Sequence, residues 1–194
     1  MGIEDVALAC ALPGFVVVVP SDEPSTMMAT QAMIAHNGPD YLRAGRPNVP
    51  IIHADGCDFQ LGRAIQIRDG RDVTLVANGI MVASAMEAAE SLKAKNISAR
   101  VLDMHTVKPI DRDALARASR ETGAIVVAEE HLAAGGLGAA VAAAVSELAP
   151  CPIRYVNIGD RFAESGTPEE LVEKYGLTPA AISAAAGQAV QAKS

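Results

Sequence analysis

Ionisable side chains that could transfer protons or bind a metal follow two predicted strands. Glu129, Glu130 and His131 come directly after an apolar run, and His105 comes two residues after Asp103. Open α/β sheets bind ligands at the carboxyl edge, where a carboxylate beside an imidazole could do acid–base work. Because successive side chains at a strand end point in alternating directions, three in a row cannot converge on one atom. The pattern favours a structural role for both groups, in hydrogen bonding or at an interface.

A glycine-rich segment, Gly-Gly-Leu-Gly at residues 135–138, follows a predicted strand and opens a helix. Main-chain N–H groups at such a helix start could hold an anion. The spacing matches neither Gly-x-Gly-x-x-Gly nor a P-loop. We therefore expect these glycines to let the helix start pack closely against a neighbouring chain or element.

Arg43 ends a short predicted strand in a chain whose formal net charge is -7. A guanidinium group suits bidentate binding of phosphate or carboxylate. An ordinary surface arginine would look the same in sequence, so the residues alone leave both interpretations open. The motifs of serine hydrolases and zinc proteases, Gly-x-Ser-x-Gly and His-Glu-x-x-His, do not occur.

The composition excludes several classes of protein. Half of the 194 residues are hydrophobic and a fifth are charged, as in a globular protein. The excess of 23 acidic over 16 basic residues argues against nonspecific nucleic-acid binding. Three widely spaced cysteines favour a reducing compartment, and the start shows no signal-peptide pattern. The apolar run 132–149 is typical of a buried Ala-rich helix and not of a membrane span, so we expect a cytoplasmic protein.

Alternating strand and helix patterns must position these residues. Apolar runs predict strands at 15–19, 64–68, 73–77, 99–103, 124–128 and 153–158, with brief extended pieces at 41–43 and 50–53. Helical spacing predicts helices at 1–11, 24–36, 80–94, 111–121 and 136–148, and two more that begin at Thr167 and Thr178. Lys108 and Pro109 are predicted as the turn before an N-cap at Asp111.

These elements predict an uneven domain organisation. Residues 71–194 carry a complete α/β domain, whereas residues 1–60 hold too few elements to bury a core of their own. We therefore predict a partial domain at 1–60, a linker at 61–70 and a complete domain at 71–194. We also expect exposed apolar surface on residues 1–60, with self-association or poor solubility when no partner covers it.

Several segments together resemble the latter part of transketolase-family proteins, especially the C-terminal subunits of split transketolases. Segments 11–14, 19–22 and 41–43 resemble the end of the family's pyrimidine-binding domain, and segments 72–82, 107–111, 129–131, 135–138 and 164–168 resemble its C-terminal domain. The resemblance implies a three-layer α/β domain with a mostly parallel sheet, preceded by the tail of a pyrimidine-binding α/β domain.

The resemblance also implies a function. The family binds thiamine diphosphate and Mg²⁺ at a dimer interface and transfers a two-carbon ketol unit between sugar phosphates. Arg43 matches the arginine that binds the sugar phosphate. The family's cofactor-activating glutamate and its diphosphate-binding domain lie upstream of the segments found here. We therefore expect no cofactor on this chain alone and no activity alone. We expect an N-terminal, diphosphate-binding subunit as partner, a homodimer through the C-terminal domain, and a place in the cytoplasmic pentose phosphate pathway.

Two alternatives belong to other classes. One is a non-catalytic dimerisation or scaffold module without thiamine chemistry. The other is the equivalent part of a deoxyxylulose-phosphate synthase or of a 2-oxo-acid dehydrogenase β subunit, because the segments 107–111 and 129–131 resemble those families as well.

Overall fold

The computed structural model describes residues 2–45, 48–54 and 56–193 of the chain. Its helices are α1 (Asp5–Ala11), α2 (Glu23–Ala35), α3 (Met81–Lys93), α4 (Arg112–Thr122), α5 (Leu137–Leu148), α6 (Pro168–Lys174) and α7 (Pro179–Gln191). Its strands are β1 (Val16–Val18), β2 (Asp40–Leu42), β3 (Ile65–Arg68), β4 (Val73–Ala77), β5 (Ala99–Asp103), β6 (Thr106–Lys108), β7 (Ile125–Ala128) and β8 (Ile153–Val156).

A five-stranded sheet in the order β3-β5-β4-β7-β8 forms the centre of the molecule. Strands β4, β5, β7 and β8 run parallel, and only β3 at the edge is antiparallel to its neighbour. One face of the sheet packs on α3 and α7, and the other packs on α4 and α5. The fold is therefore the expected three-layer α/β arrangement with a mostly parallel sheet.

The strands at the centre of this sheet are buried on both faces, as continuous apolar runs predict. All residues of β4, β5 and β7 are buried. Leu75 and Val126 face α3 and α7, whereas Val76 and Val127 face the opposite side. This alternation follows the period of two in a strand, so helices on both sides are needed to cover the sheet.

A second, small sheet joins the N-terminal segment to the rest of the chain. Its order is β2-β1-β6, with β1 parallel to β2 and antiparallel to β6. Strand β6 was not predicted from the sequence, and the assignment of Lys108 to a turn was wrong. One apolar residue, Val107, gives no strand pattern of its own, and the strand forms because β1 supplies the hydrogen-bonding partner.

The segment at 61–70, predicted as a linker that ends in a strand, contributes β3 to the edge of the central sheet. Ile65 pairs with Asp103 and Arg68 with Val101. Residues 50–53, predicted as an extended piece, form no strand. The division of the chain into domains at residues 60 and 70 stays a prediction.

Local capping signals fix several helix ends. Thr167 and Glu170 form a capping box at α6, and the hydroxyl of Thr178 caps α7. The Asp111 carboxylate accepts from the Ala114 N–H at the start of α4, and Gly123 ends that helix at φ 66° in the left-handed region.

Within the described ranges, no helix combines the length and apolar character that a membrane span requires.

Candidate functional site

Arg43 lies just beyond β2, and its side chain is only 9% exposed. Its Nη1 donates to the main-chain carbonyl of Glu130 at 2.6 Å, and Nη2 donates to the carbonyl of Gly2 at 3.2 Å. Nη2 also lies 3.4 Å from Oε2 of Glu130, and Nε lies 3.4 Å from Oδ2 of Asp5. All three guanidinium nitrogens are therefore engaged, and the interpretation of Arg43 as a surface arginine does not hold.

Two carboxylates flank this guanidinium. Asp5 accepts a hydrogen bond from the Tyr41 hydroxyl at 2.6 Å, which raises the pKa of Tyr41. Burial raises the pKa of Glu130, although the charge of Arg43 opposes that shift. The cavity between Arg43, Glu130 and Ile80 has a volume of about 10 Å³, which is room for a single water.

The three consecutive residues after β7 point to three different partners. The Glu129 carboxylate accepts from the N–H groups of Leu137 and Gly138 at 2.7 and 2.8 Å. Glu130 contacts Arg43. His131 accepts from the Ala7 N–H through Nε2 at 3.3 Å, so its Nδ1 carries the proton and donates to the Leu132 carbonyl at 3.0 Å. These contacts agree with the structural role predicted for this segment.

Burial sets the charge of these groups. It raises the pKa of Glu129 to about 7, even though the N–H groups of Gly138 and Leu137 favour the ionised form. It lowers the pKa of His131, so the imidazole is neutral at neutral pH. The side chains of Glu129 and His131 are 2% and 1% exposed, and both join the central sheet to the elements packed at its carboxyl edge.

The glycine-rich start of α5 contacts protein groups and has no open anion site. Glu129 already accepts from its free N–H groups. A Cβ at Gly136 would lie 2.2 Å from Oε2 of Glu129, and one at Gly135 would lie 2.6 Å from Cβ of Ala7. The glycines therefore allow close approach of the helix start to neighbouring elements, as the sequence predicted.

Asp103 belongs to a cluster of buried ionisable side chains, of which the sequence indicated only Asp103 and His105. Its Oδ2 accepts from the Ser21 hydroxyl at 2.6 Å and lies 3.3 Å from Nε2 of His53. The other ring nitrogen of His53 lies 3.1 Å from Oδ2 of Asp22. His105, also suspected, stacks on Phe59 with ring centroids 4.0 Å apart. No local motif links Asp22 and His53, because they are 31 residues apart and lie in a turn and a loop.

The residues described by the structure contain no group of three His, Cys, Asp or Glu side chains arranged to hold a metal ion. A groove of about 660 Å³ lies beside the buried cluster, between α2 and the loop that follows β2. Its walls include two exposed apolar side chains, Met27 and Ile51, which are 59% and 68% exposed.

Comparisons with known proteins agree on one family. Residues 62–182 match the sequence model described as "Transketolase, C-terminal domain". The chain is 42% identical over 193 residues to the 6-deoxy-6-sulfo-D-fructose transketolase subunit SqwH of Clostridium sp. (strain MSTE9), covering 100% of this chain and 60% of that protein. It is 39% identical over 176 residues to a subunit of the apulose-4-phosphate transketolase of Phocaeicola vulgatus, covering 90% of this chain and 56% of the relative.

One solved structure has the same fold over the whole chain. It is described as "Split gene transketolase, inactive beta4 tetramer", and it matches with a TM-score of 0.93 and 43% identity. The match covers 100% of this chain and 63% of the solved chain. The chain thus spans about three fifths of the length of these similar proteins.

Proposed function

The chain belongs to the transketolase family through its C-terminal domain, and we propose that it acts as the C-terminal section of a split, thiamine-diphosphate-dependent transketolase. In this proposal it contributes to two-carbon ketol transfer between sugar phosphates only when it is assembled with an N-terminal, diphosphate-binding subunit. The assembly would be a dimer through the C-terminal domain, and it would work in the cytoplasm, in the pentose phosphate pathway.

The observation that carries this proposal is identity along the whole chain. The alignment to a protein named as a transketolase subunit covers 100% of this chain at 42% identity. It therefore includes the N-terminal segment as well as the matched C-terminal domain. A partner is supported by the similar solved structure, whose assembly of β chains is described as inactive.

The residues present do not suit the cofactor itself. A diphosphate needs free N–H donors or cations, and the one glycine-rich helix start suspected from the sequence is filled by the carboxylate of Glu129. Beside the carboxyl end of β5, the carboxylates of Asp22 and Asp103 would repel a diphosphate, and the polar atoms there that have no hydrogen-bond partner in the structure are Oδ1 of Asp103 and Nε2 of His53 and of His105. We therefore propose that the partner subunit holds thiamine diphosphate and Mg²⁺.

Arg43 is the residue we propose for the phosphate of the sugar substrate. Its guanidinium lies at the carboxyl end of β2, where α/β sheets place ligands. In the structure, Glu130 and Asp5 occupy the positions that anionic oxygens would take around it. Binding of a phosphate would therefore require the Glu130 side chain to turn away, which assembly with a partner could bring about.

The test of the proposed function is reconstitution. The chain is mixed with the N-terminal subunit encoded with it, thiamine diphosphate and Mg²⁺, and two-carbon transfer between xylulose 5-phosphate and ribose 5-phosphate is measured. Activity is expected only for the mixture. Transfer by the chain alone would contradict the partner requirement, and a stoichiometric complex without activity towards any phosphorylated ketose would contradict the transketolase proposal.

The guanidinium of Arg43 is already paired with protein groups. This pairing favours a second candidate function, a dimerisation or scaffold module in which Arg43 is purely structural. The variant Arg43→Ala separates the two. For the transketolase, we expect kcat/KM of the assembled enzyme to fall by about 10- to 100-fold for the phosphorylated ketose, as for loss of one charge-assisted anion contact. An unphosphorylated ketose should be affected much less. If the chain is a scaffold module, Arg43→Ala should change kcat/KM of the assembled enzyme equally for both substrates. Arg100→Ala is the control, because Arg100 is also buried and pairs with Glu121.

A further inference from the structure

Three buried ionisable side chains meet where three segments of the chain join. Asp22 follows β1, Asp103 ends β5, and His53 belongs to the segment between β2 and β3, whose residues 48–54 and 56–61 we name the strap. The side chains of Asp22 and Asp103 are 0% exposed and that of His53 is 1% exposed. Nδ1 of His53 lies 3.1 Å from Oδ2 of Asp22, and Nε2 lies 3.3 Å from Oδ2 of Asp103.

The two carboxylates favour a doubly protonated imidazole, with Nδ1 hydrogen-bonded to Asp22 and Nε2 in charge contact with Asp103 without a hydrogen bond. A neutral ring has a single N–H and could donate to only one of the two carboxylates. Without the second proton, two carboxylates that are 0% exposed would lie together with no cation among the described residues that face them, which is costly. Burial alone would lower the pKa of His53, but the carboxylates of Asp103 and Asp22 outweigh it, and the pKa is raised overall.

The other titratable groups around the imidazole are not cationic. His105 approaches from the turn between β5 and β6, and burial lowers its pKa, so it is neutral. Cys57 lies further along the strap, and burial, together with the charges of Asp22, Asp103 and Asp58, raises the pKa of its thiol. Within the described residues that face the cluster, His53 therefore supplies the positive charge that offsets Asp22 and Asp103.

The same contacts hold the main chain of the strap. Oδ2 of Asp22 accepts from the N–H groups of Ile52 and His53 at 2.7 and 2.8 Å. Burial alone would raise the pKa of Asp22, yet these donors and the Ser25 N–H and hydroxyl hold it well below its ordinary value. Further along, Phe59 stacks on His105. Residues 48–54 are thus held by the His53 cluster and by the packing of Ile52 on the core, whereas the second half of the strap is held by the stacking of Phe59.

The first half of the strap also forms one wall of the 660 Å³ groove. Asn48, Val49 and Ile51 line it opposite Thr26 and Met27 of α2, with Ser21 and Asp22 at its floor. The groove opens at the carboxyl end of β1, the edge at which α/β sheets bind ligands. An outward movement of Asn48, Val49 and Ile51 would widen this groove.

We propose that His53 is a proton-operated clasp that closes the strap over the carboxyl end of β1 and releases it when the imidazole loses its proton. A histidine with a raised pKa stabilises the closed form fully below the ordinary value of 6.5. That stabilisation is lost as the pH rises through the raised value in the folded chain. The strap is therefore closed below pH 6.5 and opens as the pH rises through the raised pKa of His53. This inference does not depend on the proposed function.

The test is hydrogen exchange of the full chain between pH 6 and pH 9, with each rate divided by the intrinsic rate at that pH. The amides of Ile52 and His53 report the clasp, and those of β4 report global unfolding. We expect protection of the two strap amides to fall at least tenfold across this range while β4 stays constant. Protection that does not change with pH, or that falls equally in β4, would overturn the proposal.

Two variants and a control sharpen the test. His53→Gln keeps the shape but cannot carry the charge, so its strap amides should exchange at pH 6 as the native chain does at pH 9. Asp103→Asn removes one carboxylate and should move the opening to lower pH. His36→Gln is the control, because His36 pairs with Asp40 at the end of α2. If His53→Gln does not fold, NMR titration of His53 in the native chain decides: a midpoint at or below 6.5 contradicts the clasp, and a higher midpoint that coincides with strap opening supports it.

Discussion

Gly136 has no room for a side chain because the Glu129 carboxylate fills that space. A Cβ would lie 2.2 Å from Oε2 of Glu129 and 2.6 Å from Nδ1 of His131, both fixed by hydrogen bonds. We expect Gly136→Ala to lower the free energy of unfolding by about 1–3 kcal/mol, the usual cost of overpacking. Gly187→Ala is the matched control, since no atom lies within 4 Å of a Cβ there, and in helix α7 it should stabilise by about 0.5–1 kcal/mol. Urea unfolding measures both, and equal effects would contradict this assignment.

Glu129 should make stability depend on pH. Its pKa is raised to about 7 in the folded chain from 4.5, so between these values the native state binds more protons than the unfolded state. The free energy of unfolding then falls as the pH rises, by about 1.4 kcal/mol per pH unit. From pH 5 to pH 6.5 we expect a contribution of about 2 kcal/mol that is absent in Glu129→Gln. Urea unfolding of both chains at the two pH values tests this, and parallel curves would refute it.

The side chains of the site differ in how far the sequence could predict them. Glu129, Glu130 and His131 follow a recognisable strand, and alternation alone argues that they diverge. The pairing of Asp22 with His53 gave no such signal, because a charge pair in irregular segments is set by the fold. The contacts of Arg43 with Gly2, Asp5 and Glu130 could not be predicted from the sequence either, since they join residues up to 87 positions apart.

Helix α1 is held at its carboxyl end by a side chain from strand β6. Nζ of Lys108 donates to the carbonyls of Cys10 and Leu12 at 2.8 and 2.6 Å, and the last turn of α1 has no basic residue of its own. We expect Lys108→Ala to cost about 1–3 kcal/mol, as for loss of charged hydrogen bonds, and to speed amide exchange in α1. Lys95→Ala, which loses only a 3.5 Å contact with Ser183, is the control. Unchanged exchange in α1 would show that other contacts hold the helix.

Elements were predictable where their residues carry their own pattern. Strands β4 and β5 were predicted with the observed ends, because uninterrupted apolar runs are buried on both faces. Helices α4, α6 and α7 begin where their caps indicate. Strand β6 was missed because Thr106–Lys108 is a strand only through its register with β1. The sequence therefore reports local propensity well and non-local pairing poorly.

At the scale of the whole molecule, exposed apolar side chains are concentrated in the N-terminal segment. Leu8, Leu12, Met27, Ile34 and Ile51 are each 47–81% exposed, whereas the described residues beyond position 60 add only Tyr155 and Phe162. This distribution agrees with the expectation that residues 1–60 carry apolar surface for a partner to cover. Met27 and Ile34 are seven residues apart on α2 and therefore share one face of the helix.

That face of α2 should cause the isolated chain to self-associate. We expect light scattering coupled to size exclusion to show oligomers at micromolar concentration. Met27→Lys combined with Ile34→Lys should shift the chain to monomer, because two charges cannot be buried unpaired at the contact. Phe162→Lys is the control, since Phe162 is 97% exposed but lies far along the chain from α2. If the native chain is a stable monomer, the exposed face does not drive association; if Phe162→Lys also dissociates the oligomer, the contact lies on the C-terminal domain.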